Sequence, residues 1–209
     1  MLRPKSIPDS TVRRMSLYLR SLQEAQDAGI TSISSDELAE RGGTTSAQVR
    51  KDLSFFGSFG KRGLGYSVPE LIASVRRILG LGQTWRVALV GAGRIGSALF
   101  GYQDFHRRGF HIQAVFDSDP ARVGEAWGDL VVRSDQEMES ALKAEGIEIV
   151  IVAVPADAAQ RVVDRVVRAG VRAVLNFAPV PLRVPQGVAL RTVDMTTELE
   201  GLAFALNNA

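Results

Sequence analysis

Cysteine is absent from the 209 residues, which excludes a disulfide framework, a thiolate nucleophile and any Cys-ligated metal site. A reducing cytoplasm is the simplest home for such a chain. Long hydrophobic runs are missing too. The longest, Ile149 to Ala156, is eight residues and contains a proline, far short of the roughly 20 that a membrane-spanning helix needs. The first residues, MLRPKSIPDSTVRR, carry early positive charge without the apolar core or cleavage site of a secretory signal. What remains, 45% hydrophobic and 23% charged residues, suits a folded globular chain and rules out disordered and fibrous classes.

Net charge is small, at +2, but unevenly spread: twelve Lys and Arg face eight Asp and Glu in residues 1–85, and thirteen face fifteen thereafter. The excess concentrates between Arg41 and Gly65, where Arg41, Arg50, Lys51, Lys61 and Arg62 meet a single acid, Asp52. Such a stretch is either a solvated face or a nucleic-acid contact. Its setting bears on the choice. A helix is expected from Ser10 or Thr11 to about Ala28, with Met15, Leu17, Leu19 and Leu22 as apolar positions and Gly29 as its stop. A second begins at Ser34 or Ser35. A third begins at Thr44 or Thr45, with Ala47, Val49, Leu53 and Phe56 turned inward. Gly42 and Gly43 between these two make a helix-turn-helix. The segment GSFGKRGLGYSV then has the glycine density of a tight hairpin with Lys61 and Arg62 near its tip, the layout of a winged helix.

From Thr84 apolar strands alternate with amphipathic helices, the texture of a parallel sheet covered on both faces. The expected fold class is therefore α/β: a winged-helix domain over residues 1–80, and a Rossmann-like doubly wound parallel sheet over 84–194. A separate helix follows in 195–209. Gly91, Gly93 and Gly96 of VGAGRIGSAL stand in G-x-G-x-x-G spacing after a strand and at the start of a helix. The first glycine makes the turn, the second admits a pyrophosphate to the backbone, and the third lets helix and strand pack closely. With Ala92, Arg94 and Ile95 they offer free N–H groups and a helix dipole to phosphates. Asp117 ends the next strand, where a carboxylate accepts from ribose hydroxyls and repels a 2′-phosphate, favouring NAD over NADP. Val154, Pro155 and Ala156, and then Asn176, Phe177 and Ala178, fall at the carboxyl edge of the sheet, where such folds bind ligands. Pro155 alternatively only opens a helix, and Asn176 only caps a turn.

Chemistry beside a nicotinamide usually takes a His, Lys or Tyr at hydrogen-bond reach. The second half holds only Lys143, His106, His111 and Tyr102, none at the end of a central strand, and the two histidines read as solvated loop residues. No metal site and no catalytic residue are expected. An NAD-linked oxidoreductase and a coenzyme A or nucleotide-binding module remain alternatives to a DNA-binding NAD protein.

The block QVRKDLSFFGSFGKRGLGY, then the glycine turn at Gly91, then LNFAPVPLRVP and VDMTTELEGLAFAL, resemble the Rex family of bacterial redox-sensing transcriptional repressors from about Pro8 to Asn207. The resemblance implies a homodimer that binds palindromic operator DNA and releases it when NADH accumulates, with NAD+ as the competing ligand. It also implies that the C-terminal helix is exchanged between subunits. Arg20, Tyr102 and Asp194 match positions coupled to redox state in the family. Met195 stands where some relatives carry a bulkier aromatic. On the DNA side, Ser46, Gln48, Arg50 and Lys51 of the third helix would meet base edges or phosphates, and Lys61 and Arg62 would reach the minor groove.

Overall fold

The computed structural model describes residues 7–60 and 65–208, and the chain divides into two units between Gln83 and Thr84. In the first unit α1 (Asp9–Asp27) buries Met15, Tyr18, Leu19, Leu22 and Ala25, the i, i+3/i+4 stripe of a half-buried helix. It stops where Gly29 takes φ +76°. A two-residue strand β1 (Ser32–Ile33) leads into α2 (Ser35–Arg41), whose capping box is complete. The Ser34 hydroxyl accepts from the Glu37 N–H at 3.1 Å, and the Glu37 carboxylate accepts from the Ser34 N–H at 2.7 Å. Helix α3 (Ser46–Ser54) starts on a Thr45 cap. Strand β2 (Tyr66–Ser67) pairs antiparallel with β1, and α4 (Val68–Ile78) closes the unit. Leu38, Val49, Leu53, Val68, Leu71 and Val75 join the α1 stripe in one core. Ala47 is exposed rather than inward, and the inward face of α3 runs through Val49, Asp52 and Leu53.

The second unit runs β3 (Trp85–Val90), α5 (Arg94–Phe100), α6 (Gln103–Arg107), β4 (Phe110–Asp117), β5 (Ala126–Trp127), β6 (Leu130–Ser134), α7 (Met138–Ala144), β7 (Ile149–Val152), α8 (Ala156–Arg168), β8 (Ala173–Asn176), β9 (Ala189–Thr192) and α9 (Met195–Asn207). Its sheet has the order β5-β6-β4-β3-β7-β8-β9. The chain reverses direction across the sheet between β3 and β7, the switch point where doubly wound folds leave a crevice. All these pairings are parallel except that of β5 with β6. This short antiparallel edge is a departure from the purely parallel sheet that the sequence texture suggested. Between β3 and β4 the chain forms two short helices rather than one, because α5 ends on Gly101 and the chain restarts at Gln103.

One face of the sheet packs under α7 and α8 through Ala88, Val90, Phe116, Val150, Val152 and Val163. The other carries Val87, Leu89, Val115 and Ile151, with Ile149, Leu175 and Phe177 only partly buried. Helix α9 is exposed throughout, its large apolar side chains Met195, Leu199, Leu202, Phe204 and Leu206 lying 61–82% open. Among the described residues no helix is long and apolar enough to cross a membrane.

Candidate dinucleotide site and nucleic-acid interface

At the end of β3 the chain turns on Gly91 at φ +103°, where any side chain would run into the Ala153 carbonyl of the neighbouring strand end. The Gly91 N–H meanwhile donates to the Phe116 carbonyl at 2.8 Å. Gly96, one turn into α5, faces the Gly91 carbonyl so closely that a β-carbon could not fit. Gly93 differs from both: it caps α5 in extended conformation, and a β-carbon there would meet nothing within 4 Å. Two of the glycines thus serve the fold, and the middle one keeps a space open above the N–H groups of the first helical turn. No side chain among the described residues caps that end of α5, so those donors are open to an anion.

Asp117 closes the turn from the next strand. Its Oδ2 accepts the Ala92 N–H at 2.6 Å, its Oδ1 accepts the Asp119 N–H at 2.8 Å, and Arg122 donates to the Ala92 carbonyl at 2.6 Å. Each carboxylate oxygen keeps further acceptor capacity for ribose hydroxyls. A cavity of about 350 Å³ is lined by Gly91, Gly93, Asp117, Val154, Pro155 and Arg161 among others. Ala92, Arg94 and Arg122 line a second hollow on the α5 side of Gly93. Arg161 and Arg165 were not among the expected site residues. Their i, i+4 spacing on α8 was the available signal, since it puts both on one helix face. Arg165 is committed to Asp135 at 2.8 Å and Glu139 at 3.0 Å.

Asn176 needs correcting as a cofactor ligand. It is fully buried, its Nδ2 donates to the Ala178 carbonyl at 2.9 Å, and its Oδ1 accepts the Ala178 N–H at 2.9 Å. Both ends of the amide are spent on clamping the turn, which keeps Ala178 buried and leaves the partly buried Phe177 as apolar surface at the sheet edge. On the sheet face away from α7 and α8 an apolar cavity of about 350 Å³ is lined by Val87, Tyr102, Phe105, Phe110, Ile151 and Leu175. Tyr102 is half exposed with its ring edge-on to Phe105 at 5.0 Å. Asp194 caps α9 by accepting the Thr196 N–H at 2.9 Å. Arg20 is exposed on α1 of the first unit. The ring centres of His106 and His111 lie 4.1 Å apart, and the described residues contain no group of three or more His, Cys, Asp or Glu placed for a metal.

In the first unit Ser46 and Gln48 are half-buried on α3, and Arg50 and Lys51 are exposed. Arg50 donates to the Ser35 hydroxyl at 2.6 Å, tying α3 to α2. Lys61 and Arg62 lie outside the described residues. Asp52, the lone acid of the basic stretch, is fully buried and takes five hydrogen bonds: two from Arg14, at 2.6 and 2.8 Å, and one each from Thr11, Tyr18 and Gln48. Burial pushes its carboxyl up, but the bonds from Arg14, Gln48 and Tyr18 outweigh that and hold it below the ordinary aspartate range. Burial, and then Asp52 beside it, push the Tyr18 hydroxyl up to about 12.

A raised tyrosine pKa stabilises the fold fully below its unfolded value of 10.0, and that stability drains away as pH climbs towards about 12. Thermal melting at pH 9 and pH 11 should therefore show a larger alkaline loss for the wild-type chain than for Tyr18→Phe. Equal losses would mean that Tyr18 does not ionise with unfolding.

Comparison with known proteins adds to this geometry. Residues 6–54 match the family described as "Putative DNA-binding protein N-terminus", and residues 82–180 match the CoA binding domain family. The redox-sensing transcriptional repressor Rex of Carboxydothermus hydrogenoformans is 48% identical over 198 residues, 95% of each chain. The crystal structure of RSP with β-NAD+ and operator DNA superposes with a TM-score of 0.94 at 37% identity, covering 98% of this chain and 94% of that one. RSP with β-NADH gives 0.89 at 35% identity, covering 98% and 96%.

Proposed function

The chain belongs to the Rex family of redox-sensing transcriptional repressors, and from that membership we propose that it holds operator DNA while NADH is scarce and releases it when NADH binds. The observation that carries this reading is the glycine-turn cleft with Asp117 in place, in the same chain as a helix-turn-helix unit. The N–H groups of Arg94, Ile95 and Gly96 hold the pyrophosphate, whereas the Ala92 N–H, expected as a further donor, is taken by Asp117. Asp117 holds the adenosine ribose and disfavours a 2′-phosphate. Val154, Pro155, Ala156 and Phe177 supply an apolar wall for the nicotinamide side, with Ala178 buried behind it. The oxidised ring is a cation and the reduced ring is neutral, so a wall without a counter-charge favours NADH over NAD+.

Ser46, Arg50 and Lys51 of α3 meet the major groove and its phosphates, with Lys61 and Arg62 added on sequence grounds. A palindromic operator calls for two copies of α3, hence a homodimer. Helix α9 suits exchange between subunits. Met195, Leu199, Leu202 and Leu206 recur at helical spacing on one side and Phe204 stands on the other, so the helix is apolar on opposite faces and needs cover on both. The apolar cavity beside Tyr102 is a surface for the helix of a second copy. Arg20, Tyr102 and Asp194 are proposed to couple ligand state to domain arrangement. The protein acts in the cytoplasm and turns over no substrate.

By linkage, operator DNA must weaken NADH binding by the same factor that NADH weakens operator binding, roughly 5- to 150-fold. The test is anisotropy of a labelled palindromic duplex, obtained by selection from a random pool, at fixed salt because phosphate contacts are salt-dependent. NADH should release the protein at far lower concentration than NAD+. Equal release by both nucleotides would favour the coenzyme A or nucleotide-binding module that the match over residues 82–180 allows. Turnover of NADH with a carbonyl compound would overturn the regulator in favour of an oxidoreductase.

A further inference from the structure

Burying a carboxylate and a guanidinium together rarely improves stability over an apolar pair of the same volume, because desolvation cancels the attraction. The Asp52 site is nevertheless complete: the carboxylate is fully buried, and its donors come from two turns of α1 and from α3 itself. One of those donors is Gln48, four residues back on α3, whose Nε2 lies 2.8 Å from Asp52 Oδ1. An ionised carboxylate accepts only, so the Gln48 nitrogen must face it, and the amide cannot turn over. Among the described residues this leaves one N–H and the carbonyl oxygen of Gln48 uncommitted. Those are the two groups that pair with N7 and N6 of adenine in the major groove.

We propose that Asp52 is a positioning residue for base reading: gripped by Arg14, Thr11 and Tyr18, it locks the Gln48 amide in the orientation that selects adenine over guanine. Were the amide reversed, Gln48 would present two N–H groups outward and match the paired acceptors of guanine instead. The proposal rests on the reading of α3 as the recognition helix, and deepens it. Arg14 acts one step further back. Its fork holds both carboxylate oxygens, through Nε on Oδ2 and Nη2 on Oδ1, so the oxygen that meets Gln48 has a fixed position.

The experiment is selection by the full chain, without NADH and at fixed salt, from duplexes with randomised half-sites, read by sequencing. The wild-type chain should favour adenine over guanine at one position in each half-site, by roughly 5- to 150-fold. Gln48→Ala should erase that preference at that position alone. Asp52→Asn can donate to the Gln48 oxygen and permit reversal, so it should collapse the adenine-to-guanine ratio there. Preferences elsewhere, and NADH affinity, should stay within about twofold. If Asp52→Asn melts too low to assay, Arg14→Lys keeps the cation but loses the fork, and should lower the same ratio by a smaller factor. A uniform fall in affinity with the ratio unchanged would overturn the proposal and make Asp52 a structural clamp. An unchanged base pattern in Gln48→Ala would overturn it as well. If the wild-type chain enriches no sequence, the repressor reading itself falls, and this proposal with it.

Discussion

Gly93→Val yields a folded protein that binds NADH at least about 100-fold more weakly and that NADH no longer lifts from operator DNA. Gly93 has φ −72° and ψ −168°, a conformation valine adopts readily, and the space its side chain would enter is empty in the folded chain. The cost to folding is that of a poor residue at a helix cap, about 1 kcal/mol. The cost to binding is larger, because in the proposed site the pyrophosphate runs through that space to reach the N–H groups of α5. Losing two charge-assisted hydrogen bonds at about 1.5–3 kcal/mol each accounts for a factor of about 100 or more. Gly91→Val and Gly96→Val are poor substitutes, since each drives a β-carbon into a backbone carbonyl and damages the turn itself. Titration of NADH fluorescence, a melting curve, and operator anisotropy with and without NADH check the three parts. Unchanged NADH affinity in Gly93→Val would place the dinucleotide elsewhere and remove the basis for the cleft.

The glycine turn was legible because two of its three positions, Gly91 and Gly96, admit no other residue type. A positive φ at Gly91 and the close approaches at Gly91 and Gly96 are backbone demands, and these survive in the sequence as a spacing. Asp117 was legible for a related reason, since a strand that ends on an acid beside such a turn places the carboxylate at the turn's own N–H groups. Asn176 was only half legible. A polar residue at a strand end suits a ligand or a turn equally well, and the choice was made by Ala178 two residues on and by Thr192 of β9, 3.4 Å away. Asp52 was hidden for the opposite reason, because its partner Arg14 is 38 residues distant and local charge made Asp52 look like a minor exception in a basic face. Strand β5 is two residues long, too short for any alternation to register.

Replacing Leu199 and Leu202 together by aspartate should turn a dimer into a monomer while leaving the fold of each chain intact. Within one chain both side chains are more than 60% exposed, and exposed positions usually change stability by no more than about 0.5 kcal/mol. A 13-residue helix with this little cover is marginal in water on its own, and Gly201 within it removes roughly another 1 kcal/mol relative to alanine. Helix α9 therefore needs a surface to order it, and the proposed exchange between two copies would supply that surface twice. Burying a leucine side chain is worth about 1.5–3 kcal/mol, so the double variant strips roughly 6–12 kcal/mol from a symmetric pair before any cost of burying aspartate. That exceeds the margin by which ordinary dimers hold together at micromolar concentration, about 8 kcal/mol, or consumes most of it. Light scattering on an exclusion column should report a dimer for the wild-type chain and a monomer for the variant, with unchanged melting of the second unit. Operator affinity should fall with it, because a monomer engages one half-site and loses the effective concentration of the second. A dimeric variant, or a monomeric wild-type chain with full operator affinity, would show that α9 serves another purpose.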